Sequence, residues 1–78
     1  MQVQLITPEK ILFEGDATYV QIPGVMGEFG VLPNHSPFIS TLKEGTIGID
    51  LASGEKKSFP VTGGVAEVQA EKVTILVA

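Results

Sequence analysis

Nine glycines and five prolines are spread along a chain of 78 residues, and this punctuation limits the possible folds more than any other feature. Few intervals between these breakers could hold a helix of three turns. β-branched and aromatic residues fill the intervals, which is the composition of half-buried strands. Residues 46–51 form the clearest strand: Ile47, Ile49 and Leu51 point one way, and Thr46, Gly48 and Asp50 the other. Ser53-Gly54 then predicts a hairpin turn, with residues 55–61 returning as the next strand. Pro60 cannot donate to a ladder, so that strand is expected to lie at an edge or to end there.

Gly63-Gly64 breaks the chain again, and residues 65–69 and 72–77 predict a closing hairpin. In its second strand Val73, Ile75 and Val77 lie opposite Thr74 and Leu76. Two fairly apolar faces suggest a central strand, or one covered on both sides. Near the N-terminus, residues 3–7 read as a strand ending at Pro8-Glu9. Residues 10–14 and 17–22 read as two more, with Gly15-Asp16 turning between them. Residues 23–37 are irregular, with a short strand around Phe29-Gly30-Val31-Leu32. About eight or nine short strands in so small a chain imply one all-β domain over residues 1–78, an antiparallel sandwich of two packed sheets.

Composition narrows the function. A chain this short buries only about 60% of its unfolded surface, so the core is thin. It has no cysteine to staple that core and one histidine, which argues against a structural zinc site. The net charge is −4, with no basic cluster beyond Lys56-Lys57. Nucleic-acid binding, which needs a positive surface to displace counterions, is therefore not expected. No apolar run approaches the ~20 residues that span a bilayer, and Met1-Gln2-Val3-Gln4 lacks the features of a signal peptide. Any association with a membrane is expected to go through another protein.

Three stretches invite a chemical reading. The glycine-rich segment Gly24-Val25-Met26-Gly27-Glu28-Phe29-Gly30 lacks the lysine, Ser/Thr and following helix of a phosphate cradle, so tight bends explain its glycines better. His35-Ser36, between Pro33 and Pro37, lacks an orienting acid placed by any motif, and a histidine bonded to nearby backbone is the simpler expectation. The nine acidic residues are scattered singly, without calcium-loop spacing. Glu28 stands apart: a carboxylate between Gly27 and Phe29, beside apolar Val25 and Met26, suits a protein contact.

The string Gly27-Glu28-Phe29-Gly30-Val31-Leu32-Pro33-Asn34-His35-Ser36-Pro37-Phe38 closely resembles the G-E-[LF]-G-[IV]-[LY]-P-x-H-[AS]-P-[LF] signature of the bacterial F-type ATP synthase epsilon subunit. Thr7-Pro8-Glu9 with Leu12-Phe13-Glu14-Gly15 resembles the opening hairpin of that family, and Leu42-Lys43-Glu44-Gly45 its "L-K-x-G" turn. Gly63-Gly64-Val65-Ala66-Glu67-Val68 followed by Val73-Thr74-Ile75-Leu76 resembles its closing hairpin, so the likeness runs along essentially the whole chain.

The resemblance implies a sandwich of about ten short strands at the foot of the central stalk, without an active site or a cofactor. It implies two partners, the gamma subunit of F1 and the c-ring of Fo, without nucleic acid and without direct membrane insertion. The location implied is peripheral, on the cytoplasmic face of the bacterial plasma membrane. The task implied is to link gamma to the ring, so that proton-driven rotation reaches the catalytic head. Glu28 matches the acidic ring-facing residue, its neighbours Val25 and Met26 are expected to join that contact, and Phe29 and His35 are expected on a partner-facing loop. Family members usually continue into a two-helix domain that can inhibit hydrolysis and in some binds ATP. This sequence stops at Ala78, so no inhibitory hairpin and no ATP binding are expected of it. Two rivals compete with this picture. A sandwich that binds sugar or peptide at its loops would usually present aromatic platforms, whereas this chain has no tryptophan and one tyrosine, Tyr19. A small enzyme built on His35 and a carboxylate would show turnover lost in His35→Ala.

Overall fold

A computed structural model describes all 78 residues, Met1–Ala78. It contains eight strands and no helix: β1 (Gln2–Ile6), β2 (Ile11–Gly24), β3 (Gly27–Val31), β4 (Phe38–Leu42), β5 (Gly45–Leu51), β6 (Lys56–Val61), β7 (Gly64–Val68) and β8 (Lys72–Val77). Hydrogen bonds join them in the order β1-β8-β7-β4-β2-β5-β6, with β3 on β2 and a further pairing of β1 with β2. One layer of the sandwich holds β4, β7, β8, β1 and the first half of β2. The other holds β3, the second half of β2, β5 and β6.

There are eight strands rather than about ten, and one of the missing ones is explained by β2, a single strand of 14 residues where two were expected. The turn expected at Gly15-Asp16 does not form. β1 runs alongside both residues, pairing Val3 with Gly15 and Gln2 with Asp16, and the Ala17 amide donates to the Met1 carbonyl at 2.8 Å. Register with β1 ends there. From Ala17 onward, with an irregularity before Tyr19, β2 pairs with β5 in the second layer. A bulge with increased local twist is how one strand changes sheets. At its far end Gly24 meets Leu42 of β4, so β2-β1-β8-β7-β4 closes a ring of pairings. β3 and β6 remain the free edges. β6 carries Lys56, Lys57 and Pro60, which protect an edge from further pairing. All pairings are antiparallel except β1 with β8, which is parallel.

Alternation along each strand sends fifteen aliphatic side chains into one core, with no polar side chain buried among them. Ile47 and Ile49 of β5 point inward as expected, and so do Val73, Ile75 and Val77 of β8. Met1, Leu12, Phe13, Phe29, Phe38, Leu51 and Phe59 close the rim. The shortest dimension of the molecule, 18 Å, fits two sheets ~10 Å apart with one layer of side chains outside each.

Candidate functional site

The glycine-rich segment is a β-hairpin. Gly24 pairs with Gly27, so Val25 and Met26 alone form the turn, and Gly27, which follows them, has a positive φ of 136° that favours glycine. Two backbone bonds brace this tip against the neighbouring corner: the Val25 amide donates to the Thr41 carbonyl and the Lys43 amide to the Pro23 carbonyl, both at 2.9 Å. Met26 is 97% exposed and Val25 about half. An apolar pair held rigidly in water at the end of a sandwich is a candidate contact surface. Lys43 and Glu44, both exposed, occupy the adjoining corner.

Glu28 lies just behind the tip, within β3, where it pairs with Pro23. Its side chain is exposed on the outer face. Its carboxylate is not free-standing, because Oε1 accepts a hydrogen bond from Gln21 Nε2 at 3.1 Å. Phe29, expected on a partner-facing loop, is a correction. It pairs with Ile22, turns inward and packs against the core as a half-buried lid. Strand alternation dictates this, since Glu28 outward requires Phe29 inward. Its ring lies 5.2 Å from Phe38, edge to face.

His35 sits elsewhere. β3 carries the chain away from the tip, and the segment after it is fastened to the β7–β8 turn by the Asn34 amide, which donates to the Ala70 carbonyl at 2.8 Å. Asn34 adopts φ 68°, a left-handed conformation that asparagine tolerates. His35 Nδ1 lies 2.8 Å from the Ser36 backbone oxygen, so the ring turns to the backbone rather than to the serine hydroxyl. Its ring also leans on Phe38 at 5.0 Å. Val25, Met26 and Glu28 thus share one end of the sandwich, and His35 belongs to the other.

A second surface lies on the outer side of the β4–β7–β8–β1 layer. Register places Thr41, Val65, Leu76, Ile6 and Ile11 side by side across five strands. Leu76 is 50% exposed, Ile11 54% and nearby Ile39 70%. The sequence carried a signal for this surface, since β8 is apolar on both faces. β8 is indeed central, but its outer face is uncovered. The one concavity, about 160 Å³, is lined by Gln2, Val3, Gln4, Glu14 and Lys72. It is smaller than the roughly 300–1,000 Å³ of small-molecule sites.

Comparison with known proteins agrees with this architecture. The family model described as "ATP synthase, Delta/Epsilon chain, beta-sandwich domain" matches residues 1–78. The ATP synthase epsilon chain of Bordetella petrii is 42% identical over 76 residues, covering 97% of this chain and 54% of that one. The epsilon chain of Xanthomonas euvesicatoria is 42% identical over 77 residues, covering 99% and 55%. The chain therefore spans about half the length of the curated relatives it matches. Among solved structures, a chain of the Euglena gracilis mitochondrial ATP synthase OSCP/F1/c-ring assembly superposes with a TM-score of 0.90 at 23% identity, covering 96% of this chain and 48% of that one. A chain of the Tetrahymena thermophila mitochondrial ATP synthase central stalk/c-ring gives 0.81 at 21%, covering 97% and 61%. At those identities the likeness speaks for the fold. The family match over the whole chain and the epsilon-chain relatives together establish that this chain belongs to the delta/epsilon-chain β-sandwich family of ATP synthases.

Proposed function

We propose that this chain is a non-catalytic rotor part of an F-type ATP synthase, joining the gamma subunit to the c-ring at the foot of the central stalk. A link between two partners needs two separate surfaces on a stiff body, and that observation carries the proposal. The braced tip, with Val25 and Met26 at its end and Glu28 behind them, is the ring-facing surface. A carboxylate beside exposed apolar groups suits a basic, partly apolar loop. The uncovered row of Val65, Leu76, Ile6 and Ile11, with Ile39 beside it, is the gamma-facing surface. The fifteen-residue core between them keeps the two in fixed relation, so that rotation of one is passed to the other. In this role the domain is peripheral to the membrane, on its cytoplasmic face, and supports coupling of proton-driven rotation to ATP synthesis without chemistry of its own.

Glu28→Lys tests the ring-facing half. The side chain is exposed, so the variant should fold normally while losing affinity for a detergent-solubilised c-ring. A variant that folds and binds the ring as well as wild type removes Glu28 from the contact.

A further inference from the structure

Glu28 belongs to a chain of side chains on the outer face of the β3–β2–β5–β6 layer. Tyr19 and Gln21 of β2 and Glu28 and Gly30 of β3 share that face, with Gly48 and Asp50 of β5 beside them. Gln21 Nε2 donates to Glu28 Oε1 at 3.1 Å, and the Tyr19 hydroxyl donates to Gln21 Oε1. The direction of both bonds follows from the groups themselves. An ionised carboxylate can only accept, so the amide nitrogen must face Glu28; the amide oxygen then faces Tyr19, whose hydroxyl has a proton to give.

The neighbouring strands make room for this arrangement. Gln21 is flanked across the sheet by Gly30 on one side and Gly48 on the other. Tyr19 fills the space at Gly30, where a Cβ would lie 2.6 Å from the ring carbons Cε1 and Cζ. Two glycines in strand interiors weaken a sheet, and here they seat a tyrosine and clear a lane for a glutamine. Only Oε1 of Glu28 is used by Gln21. Oε2 has no side-chain donor and remains available to a partner.

We infer that Gln21, itself fixed by Tyr19, is a positioning residue that holds the Glu28 carboxylate in one orientation for its partner. This rests on Glu28 as a contact residue, and it adds the reason that the contact is made by an ordered side chain rather than a mobile one. Immobilising a side chain before binding removes that ordering cost from the association step, so losing Gln21 should weaken ring binding by about three- to tenfold.

Two measurements on the full chain separate the parts of this inference. Three-bond side-chain couplings of Glu28 by NMR should show a single dominant rotamer in wild type and averaged values in Gln21→Ala and in Gln21→Met, which keeps the volume but has no amide. Tyr19→Phe should shift the couplings in the same direction by less. Affinity for a detergent-solubilised c-ring should fall in Gln21→Met, yet not fall further when the same change is made in a Glu28→Ala background. Averaged couplings already in wild type, or unchanged couplings in both Gln21 variants, overturn the inference. Equal losses from Gln21→Met with and without Glu28 overturn it too, since Gln21 would then act independently. A Glu28→Ala chain that binds the ring as wild type sinks the contact role instead, while the couplings still decide the positioning.

Discussion

Gly64 opens β7 at φ 149° and lies against the end of β8, where it pairs with Val77. A Cβ at this position would collide with the Leu76 carbonyl oxygen and stand 3.1 Å from Leu76 C and from Val77 Cα. All three are backbone atoms of a central strand, so no side chain can swing aside. Alanine therefore adds strain of about 1–3 kcal/mol from the positive φ. It adds about 2–3 kcal/mol more, from overpacking against backbone and from loosening the β7–β8 ladder. The total of about 3–6 kcal/mol stands against roughly 4–12 kcal/mol for a domain of this size. Gly54 is the control: its φ is 94° and a Cβ there meets open space, so Gly54→Ala carries the strain without the collision. Thermal unfolding by circular dichroism should place Gly64→Ala at least about 8 °C below Gly54→Ala, taking ~4 °C per kcal/mol as the lower conversion. Equal melting temperatures, or Gly54→Ala the less stable, would refute the claim that backbone crowding between β7 and β8 fixes this residue.

Further expectations concern the core and the two surfaces. Ile49 is fully buried, so Ile49→Ala should cost about 2–5 kcal/mol and lower the melting temperature accordingly; a wild-type melt would contradict its place in the core. Leu76→Lys acts on a half-exposed residue, so the melting temperature should stay within about 8 °C of wild type, a change of under ~1 kcal/mol, while gamma binding is lost. Lys56 is 2.9 Å from Asp50 with both groups in contact with solvent, and Lys56→Ala should move stability by no more than about 1 kcal/mol in urea unfolding. Ring binding should weaken as salt is raised, because the Glu28 carboxylate is exposed; an affinity independent of salt would make the contact wholly apolar.

Local pattern read the fold well at the hairpins of the C-terminal half. Ser53-Gly54 joins β5 to β6, residues 69–71 join β7 to β8, and Pro60 lies on an edge. Sequence failed where pairing with another strand overrode local chemistry. Gly15-Asp16 has the composition of a turn, yet β1 pairs across it and keeps β2 extended. The strand Phe38–Leu42 went unread because its partners are β7, some 25 residues later, and the far end of β2. Glu28 falls in the segment expected to be irregular, yet it lies one step inside a strand, since the turn consumes only Val25 and Met26. Its partner Gln21 was not legible, because nothing in the string Val20-Gln21-Ile22 distinguishes a solvated glutamine from one clamped between a tyrosine and a carboxylate. The apolar outer row was half visible in β8, while its continuation through Val65, Ile6 and Ile11 depends on register.

The central claim is that this domain is a mechanical link, and its most direct test is calorimetric titration of the chain into the gamma subunit of the same organism's ATP synthase. The account predicts saturable one-to-one binding, lost in Leu76→Lys and kept in Glu28→Lys, since the two residues serve different partners. No heat of binding from a chain shown by circular dichroism to be folded would contradict the claim.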